Sequence, residues 1–147
     1  MHPRRPPLGA LALAALLGLA AAAPSTARAH GDVAPQPVDV SALPSLGDEL
    51  HSMNPYRDQP AYAEAVKVGE KAYNQNCARC HGLGAVSGGI SPDLRLLVPG
   101  DDDEYFLGRV MSGAVRNGIT YMPAFADIFG QEAIWSIRSW LDTVAQP

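Results

Sequence analysis

The segment "NQNCARCHGLG", residues 74–84, contains both cysteines of the chain, Cys77 and Cys80, and places His81 directly behind them. Two thiols separated by two residues serve a disulfide, a metal ion, a redox pair or a covalently held cofactor. A disulfide here would close a very short loop and contribute little stability. A zinc site needs four ligands, and His81 is adjacent to Cys80 rather than at the spacing of zinc fingers. A thioredoxin-like pair follows a strand, whereas the residues before Cys77 have a helical pattern.

The residue after the second cysteine decides between these alternatives. Cys-x-x-Cys-His is the attachment signal for haem c, in which both thiols add to the vinyl groups of the porphyrin and the histidine binds the iron. We therefore predict one haem c, attached covalently through Cys77 and Cys80, with His81 as an axial iron ligand.

Three methionines beyond the N-terminal segment are candidates for the second axial position: Met53, Met111 and Met122. Met111 lies in the apolar stripe of a predicted helix, where methionine usually belongs to the core. Met53 lies in a proline-rich segment upstream of the haem motif. Met122 precedes Pro123 in a predicted loop, and a loop backbone held by proline can direct a thioether towards the iron. We therefore predict that Met122 is the second axial ligand.

Residues 1–29 have the pattern of a cleaved Sec signal peptide. They combine a basic start, an apolar run of 16 residues and the small-x-small sequence Ala-Arg-Ala at residues 27–29. The run is shorter than the roughly 20 residues that span a bilayer, so we predict export to the periplasm and no membrane anchor. The remaining 118 residues, 30–147, carry eight basic and 15 acidic side chains, a formal charge of −7. This balance argues against nucleic acid and anionic membranes as partners.

Three segments have the spacing of apolar residues that is typical of amphipathic helices. They are residues 61–77, 101–113 and 131–144. The middle helix begins with four acids, which suit a helix N-terminus and admit a calcium site as the alternative, and it ends at Gly113, a suitable C-cap. The predicted buried positions are Tyr62, Ala65, Val66, Gly69, Ala72, Tyr73, Phe106, Leu107, Val110, Met111, Ile134, Ile137, Leu141 and Val144.

The rest of the chain lacks regular periodicity. Residues 30–60 are rich in proline and are predicted to form an extended arm that lies over a domain of residues 61–147. Residues 82–100 and 114–130 are predicted to be loops, because glycine and proline interrupt both helical and strand patterns. Three helices with so much loop make a thin core, which favours a large apolar group at the centre of an all-α fold.

The chain resembles class I c-type cytochromes over nearly all of residues 61–144. Gly69, Tyr73 and Cys77 reproduce the glycine–aromatic–cysteine spacing of the family's first helix. The glycine has a physical reason, because two helices that cross closely need a position without a side chain. The resemblance implies the small class I cytochrome c fold, with three or more helices around one covalently bound haem and, here, an extended N-terminal arm.

Two further parts of the chain carry the resemblance. Ile137 and Trp140 match the aliphatic and aromatic residues that the family's last helix packs across that glycine, with tryptophan in place of the usual tyrosine. The segment "SPDL" is similar to the family segment whose proline carbonyl accepts the Nδ1 proton of the proximal histidine. The resemblance therefore implies that Pro92 orients His81.

The arm, residues 30–57, together with the motifs is similar to the soluble periplasmic cytochromes c that accept electrons from quinoprotein (PQQ-dependent) alcohol dehydrogenases. This resemblance implies a monomeric one-electron carrier, not an enzyme, that passes electrons towards a terminal oxidase or a downstream cytochrome. Ligation by both His81 and Met122 leaves no open iron position. The alternatives are a general shuttle for another dehydrogenase or oxidase, and a haem enzyme or sensor with a labile methionine. Arg95 and Arg116 flank the haem segments and are predicted to pair with the propionates, with solvated surface arginines as the alternative.

Overall fold

The computed structural model describes residues 34–147, so the predicted signal peptide of residues 1–29 and the first residues of the arm lie outside the described part. Within that part, no helix has both the length and the apolar composition needed to cross a bilayer. Its four α-helices are α1 Tyr62–Asn76, α2 Ala78–His81, α3 Asp103–Ser112 and α4 Gln131–Val144. The prediction of a small, mainly helical fold is confirmed.

Helices α1 and α4 pack closely against each other at Gly69, and this contact is the centre of the fold. A Cβ atom on Gly69 would lie 1.8 Å from the backbone oxygen of Ser136, so only a residue without a side chain permits the approach. The rings of Tyr73 and Trp140 pack with their centroids 4.4 Å apart. Further buried apolar residues from α1, α3 and α4 complete the core: Ala65, Ala72, Phe106, Leu107, Val110, Ile134, Ile137 and Leu141.

The predicted apolar stripes differ from the structure only at their edges. On α1, Val68 is buried, whereas Tyr62 and Val66 are partly buried. Met111 of α3 and Val144 of α4 are also only partly buried and pack against the rim of the core. Residues at the margin of an apolar stripe are covered or exposed according to their tertiary neighbours, which periodicity alone does not reveal.

Residues 114–130 contain a short β-hairpin, and this corrects the prediction that they are loop throughout. Strand β1, Ala114–Arg116, pairs antiparallel with β2, Ile119–Met122. Asn117 and Gly118 between them have φ values of 53° and 75°, the left-handed backbone that a two-residue hairpin turn requires. The Asn-Gly pair is the sequence signal for this turn, but strands of three and four residues are too short to show a period of two.

The other predicted loop, residues 82–100, contains two single turns of 3-10 helix, Leu83–Ala85 and Leu94–Leu96. The first turn follows α2 almost directly. The second is capped by Asp93, whose side chain accepts a hydrogen bond from the backbone N–H of Arg95 at 3.0 Å. Such local side-chain caps order a segment that has no helical periodicity.

Residues 34–61 contain turns but no helix or strand, and the later part of this segment lies along α4. The backbone N–H groups of Leu46 and His51 donate to the side chains of Glu132 and Gln131, at 2.9 and 3.2 Å. Helical spacing places Gln131 well away from Ser136 and Ile137 around α4, whereas Glu132, four residues before Ser136, lies at the edge of the side that packs on α1. The arm therefore converts the outer side of α4 into a second interface.

A buried ion cluster completes this second interface. Asp103, at the start of α3, is fully buried and accepts hydrogen bonds from Arg57 Nη2 at 2.8 Å and Arg138 Nε at 2.7 Å. Asp142 accepts from Arg57 Nε at 2.7 Å, so two positive charges face two negative ones. Burial raises the pKa of Asp103, but hydrogen bonds from Arg57, the Asn54 backbone and Arg138 lower it more, to about 2. Complementary charges and hydrogen bonds are what make buried ions tolerable.

Candidate functional site

One helical turn brings the cysteines and the histidine of the motif together. Helix α1 ends at Asn76 and α2 begins at Ala78, so the chain stays helical through the motif. The backbone N–H groups of Cys80 and His81 donate to the Cys77 oxygen at 3.1 and 2.9 Å. Residues three and four positions apart in a helix share a face. Both thiols and the imidazole therefore lie on the same side of the turn.

The Cys77 thiol differs from those of redox-active cysteine pairs. The pKa of the Cys77 thiol is raised to about 12, chiefly by burial and secondarily by the neighbouring Cys80 thiol. Redox-active cysteine pairs have a lowered thiol pKa instead. Within residues 34–147, moreover, the only sheet is the antiparallel hairpin. Both observations argue against the thioredoxin-like alternative.

His81 is held in one orientation by the backbone. It is buried, and its Nδ1 lies 3.0 Å from the carbonyl oxygen of Pro92. A carbonyl only accepts hydrogen bonds, so Nδ1 carries the proton and Nε2 the lone pair. Nε2 has no hydrogen-bond partner among residues 34–147. A neutral imidazole oriented in this way is suited to bind a metal through Nε2.

Met122 is the last residue of β2 and packs, partly buried, against the core. Gly113, at the end of α3, lies so close to it that a Cβ there would be 2.4 Å from the Met122 carbonyl oxygen. Just beyond it, the Phe125 N–H donates to the Val110 oxygen at 3.0 Å. The segment that carries Met122 is thus held by α3 and the hairpin, and not by Pro123 alone.

The two other candidate methionines have different environments. Met53 lies in the arm with 59% of its surface exposed. Met111 lies on α3 and packs against the rim of the core. A core position on a helix and an exposed position in the arm are both less suited to hold a thioether against a buried metal than the hairpin position of Met122.

Arg95 is engaged by groups of the chain itself. Its Nη2 and Nε donate to the Asp93 carboxylate at 2.6 and 3.0 Å, and its Nη1 donates to Gln146 Oε1 at 3.3 Å. Arg95 therefore lies beside the Pro92 end of the motif with all three of its guanidinium nitrogens paired. Arg116 is exposed on β1. A role for either arginine towards haem propionates stays a prediction.

The acidic residues at 101–104 are partly occupied by neighbouring groups. Asp103 belongs to the buried ion cluster, and Asp102 accepts a hydrogen bond from the Val98 N–H at 2.7 Å. Across the described residues, no group of three or more His, Cys, Asp or Glu side chains is arranged to hold a metal ion. The calcium interpretation therefore has no support in this part of the chain.

Two residues near the motif have contacts that the sequence did not predict. The Tyr73 hydroxyl donates to the Gly82 oxygen at 2.7 Å, and burial raises the pKa of Tyr73, so the phenol keeps its proton for this bond. The pKa of Asp93 is lowered to about 2, chiefly by its hydrogen bond with Arg95. An acid two residues before an arginine is the only sequence signal for this pair, and it is a weak one.

Large apolar side chains are exposed in the segment that follows α2 and in β2. They are between 60% and 92% exposed and comprise Leu83, Ile90, Ile119 and Tyr121. Residues 82–92 and 117–126, which contain them, carry no charged side chain. The first segment directly follows His81 and the second contains Met122, so exposed apolar side chains lie near both predicted iron ligands in the chain.

Comparison with known proteins gives a family match and a relative that spans most of the chain. Residues 64–141 match the family model described as cytochrome c oxidase, cbb3-type, subunit III. The chain is 57% identical over 122 residues to cytochrome c550 of Pseudomonas aeruginosa. That match covers 82% of this chain and 84% of the relative.

Shorter matches connect the chain to much larger enzymes. It is 43% identical over 77 residues to quinohemoprotein alcohol dehydrogenase ADH-IIG of Pseudomonas putida, a match covering 52% of this chain and 10% of that protein. The solved structure of quinohemoprotein alcohol dehydrogenase ADHIIG from Pseudomonas putida HK5 aligns with a TM-score of 0.50 and 35% identity. This alignment covers 69% of this chain and 14% of that one.

Proposed function

This chain belongs to the cytochrome c family, and we propose that it is a periplasmic one-electron carrier that accepts electrons from a PQQ-dependent alcohol dehydrogenase and passes them towards a terminal oxidase. The family and the cytochrome c550 relative make it an electron-transfer protein rather than an enzyme. Its donor, its acceptor and its compartment are the proposed parts. Export rests on the predicted signal peptide of residues 1–29.

The donor groups of the site fit a haem c. Cys77 and Cys80 provide two thiols on one side of a helical turn, suited to form thioether bonds with the vinyl groups. His81 provides an oriented Nε2 and Met122 a thioether sulfur, the pair of axial ligands that cytochromes c use. When bound, the haem supplies a one-electron Fe(III)/Fe(II) couple. The observation that carries the proposal is the His81 imidazole, fixed at Nδ1 by Pro92 at 3.0 Å with Nε2 left free.

The protein residues then determine what the site does. Ligation of a bound haem iron by both His81 and Met122 would leave no position for a substrate and would restrict the site to electron transfer. The hydrogen bond from His81 to Pro92 makes the imidazole a stronger electron donor, whereas the methionine thioether raises the reduction potential. Cys77 and Ala78 of the motif pack against the buried apolar core, and this core would exclude water from the site and favour the less charged ferrous state.

The proposed donor rests on similarity to a segment of quinohemoprotein alcohol dehydrogenases, proteins whose name contains both a quinone cofactor and a haem. The segments 82–92 and 117–126 carry no charge and include exposed apolar side chains, which supports docking through apolar contacts, since redox encounters bury little area. We expect only a weak dependence of the association rate on ionic strength, because charged groups contribute little to this surface. A general shuttle for another dehydrogenase or oxidase is the competing proposal.

Ligand exchange at the iron tests the site. Met122→Ala should keep the covalent haem but abolish the sulfur-to-iron charge-transfer band, lower the reduction potential and admit cyanide rapidly. Met111→Ala is the matched control, because it removes a partly buried methionine of α3 and should leave the spectrum unchanged. The reverse pattern would show that the ligand assignment is wrong.

Reduction by a purified dehydrogenase tests the donor. A PQQ-dependent alcohol dehydrogenase with its alcohol should reduce the haem at a rate that saturates with carrier concentration and changes little with salt. Ala124→Asp should slow this reduction far more than Lys67→Gln, because the first places a charge in the apolar surface. Reduction only by other dehydrogenases would favour the general shuttle.

A further inference from the structure

The hydrogen bond that orients His81 depends on the position of one peptide unit. The oxygen of Pro92 that accepts from His81 Nδ1 belongs to the same planar group as the nitrogen of Asp93. The orientation of this carbonyl is therefore set by whatever fixes the backbone of Asp93. Within residues 34–147, the imidazole forms its hydrogen bond with the backbone oxygen of Pro92 and forms none with the side chain of Asp93.

Asp93 is held at its side chain by Arg95 and at its carbonyl oxygen by Leu96. The Asp93 carboxylate accepts from the Arg95 N–H and Nε, each at 3.0 Å, and from Nη2 at 2.6 Å. The Asp93 carbonyl accepts from the Leu96 N–H at 3.4 Å, which closes the short 3-10 turn. A carboxylate gripped by the two arms of a guanidinium has little freedom to rotate. The Asp93 side chain and main chain are thus locked in one conformation.

Arg95 is in turn tied to the end of the chain. Its carbonyl oxygen accepts from the Gln146 N–H at 2.7 Å, and its Nη1 donates to Gln146 Oε1 at 3.3 Å. The Asp93 and Arg95 side chains are only 21% and 23% exposed, whereas the Glu64 and Lys67 pair on α1 is 42% and 68% exposed. Ion pairs that are shielded from solvent are screened less and hold their geometry better.

We propose that Asp93, Arg95 and Gln146 form a positioning clamp that holds the Pro92 carbonyl against His81 and so helps to set the electron-donor strength of the axial imidazole. The proposal rests on the proposed function only in that His81 binds the haem iron. It gives Arg95 a role through Asp93 instead of the propionate contact that its sequence position suggested. None of the three side chains forms a hydrogen bond with the imidazole within residues 34–147, so their proposed effect on His81 passes through the backbone.

The clamp and a simple charge effect predict the same sign of the change in reduction potential for Asp93→Asn but opposite signs for Arg95→Gln. Asp93→Asn removes a negative charge and Arg95→Gln a positive one, so an effect of charge alone moves the reduction potential up in the first variant and down in the second. Loss of positioning would weaken the hydrogen bond from His81 Nδ1 to the Pro92 oxygen in both variants, and would therefore raise the reduction potential in both. Arg95→Lys separates the two models further, because it keeps the charge but loses the planar fork that grips the carboxylate.

The decisive measurement is the exchange rate of the His81 Nδ1 proton with solvent, followed by NMR on the ferrous holoprotein. If the clamp acts as proposed, Asp93→Asn, Arg95→Gln and Arg95→Lys should each speed this exchange about tenfold. This factor corresponds to the loss of roughly the free energy that one hydrogen bond contributes. Gln146→Ala, which changes no charge, should speed it less and should raise the potential. Lys67→Gln, in the exposed pair on α1, is the control and should change neither quantity.

Exchange at the wild-type rate in Arg95→Lys or in Asp93→Asn would overturn the clamp, and so would potentials that follow charge alone. Failure of the proposed function would look different. It would appear in the wild-type protein as absence of the histidine–methionine spectrum or as lack of reduction by the dehydrogenase. The chain's secondary structure, checked by circular dichroism in each variant, separates loss of the clamp from loss of the fold.

Discussion

The two sides of helix α4 form interfaces of opposite chemistry. Towards α1, the helix packs through a backbone-to-backbone contact at Gly69 and through the Tyr73 and Trp140 rings. Towards the arm, it presents polar and charged side chains, among them Arg138, which is fully buried. The first interface gains stability from shape and apolar area, and the second from paired charges.

The difference shows how each interface fails. Close packing tolerates no added volume, because a new atom has nowhere to go. A buried ion cluster tolerates no lost partner, because the remaining charge keeps its desolvation cost without compensation. The two interfaces should therefore respond to different substitutions, and four changes, in decreasing order of effect, test this.

Removing the central charge of the cluster should have the largest effect. Asp103→Asn leaves Arg57 and Arg138 with Asp142 as their remaining carboxylate, so we expect the free energy of unfolding to fall by about 3–5 kcal/mol. Chemical denaturation of the holoprotein, followed by circular dichroism, measures it. Asp101→Asn, at an exposed neighbouring position, is the control and should change stability by less than about 0.5 kcal/mol. Equal effects of the two substitutions would mean that the cluster contributes nothing specific.

Adding one methyl group to the apolar interface should come next. Gly69→Ala would place a Cβ 1.8 Å from the Ser136 oxygen, which forces the helices apart. We expect a loss of about 3 kcal/mol, at the upper end for overpacking, in thermal or chemical unfolding. Gly108→Ala is the matched control on α3, since nothing lies within 4 Å of its Cβ position, and it should stabilise the helix by up to about 1 kcal/mol. A wild-type melting temperature in Gly69→Ala would contradict the close contact.

Acid should weaken the charged interface selectively. The pKa of Asp103 is about 2 in the folded protein and 3.8 in the reference state, so its contribution is complete above about pH 4 and is lost as the pH falls through 2. The charged groups of the cluster around Asp103 are Arg57, Arg138 and Asp142. Between about pH 5 and 2, the wild type should lose about 2 kcal/mol more than Asp103→Asn. Parallel stability curves for the two proteins would argue against a paired Asp103.

A neutral hydrogen bond within the arm should matter least. The hydroxyl of Tyr56, whose side chain is buried, donates to the Pro44 oxygen at 3.1 Å. Tyr56→Phe keeps the packing and removes this bond, so we expect a loss of about 1 kcal/mol in chemical unfolding. Tyr105→Phe, at a residue that is 56% exposed, should cost nothing measurable. If Tyr56→Phe lowered the free energy of unfolding as much as Asp103→Asn does, the expectation that charged contacts matter more than neutral ones would be wrong.

The features that the sequence predicted correctly rest on local spacing. The bounds of α1 and α4 follow from apolar residues three and four positions apart, and the haem motif folds into one turn for the same reason. The glycine at position 69 predicted a close helix contact, because no other residue leaves room for one. The hairpin after α3 was also encoded locally, by Asn117 and Gly118, but its strands are too short for periodicity to reveal.

The sequence by itself determined the helices, the order of the cysteines and the histidine, and the positions of the apolar stripes, because each depends on residues within a few positions of one another. Only the tertiary structure decided which of four consecutive acids becomes the buried one. Asp103 is selected by Arg57 and Arg138, which lie 46 and 35 residues away in the chain. Likewise, Arg95 reaches Gln146 across 51 residues. Such pairs cannot be recognised from sequence periodicity. The residues around a charged side chain follow the same pattern whether that charge is solvated by water or paired with a distant residue in the interior.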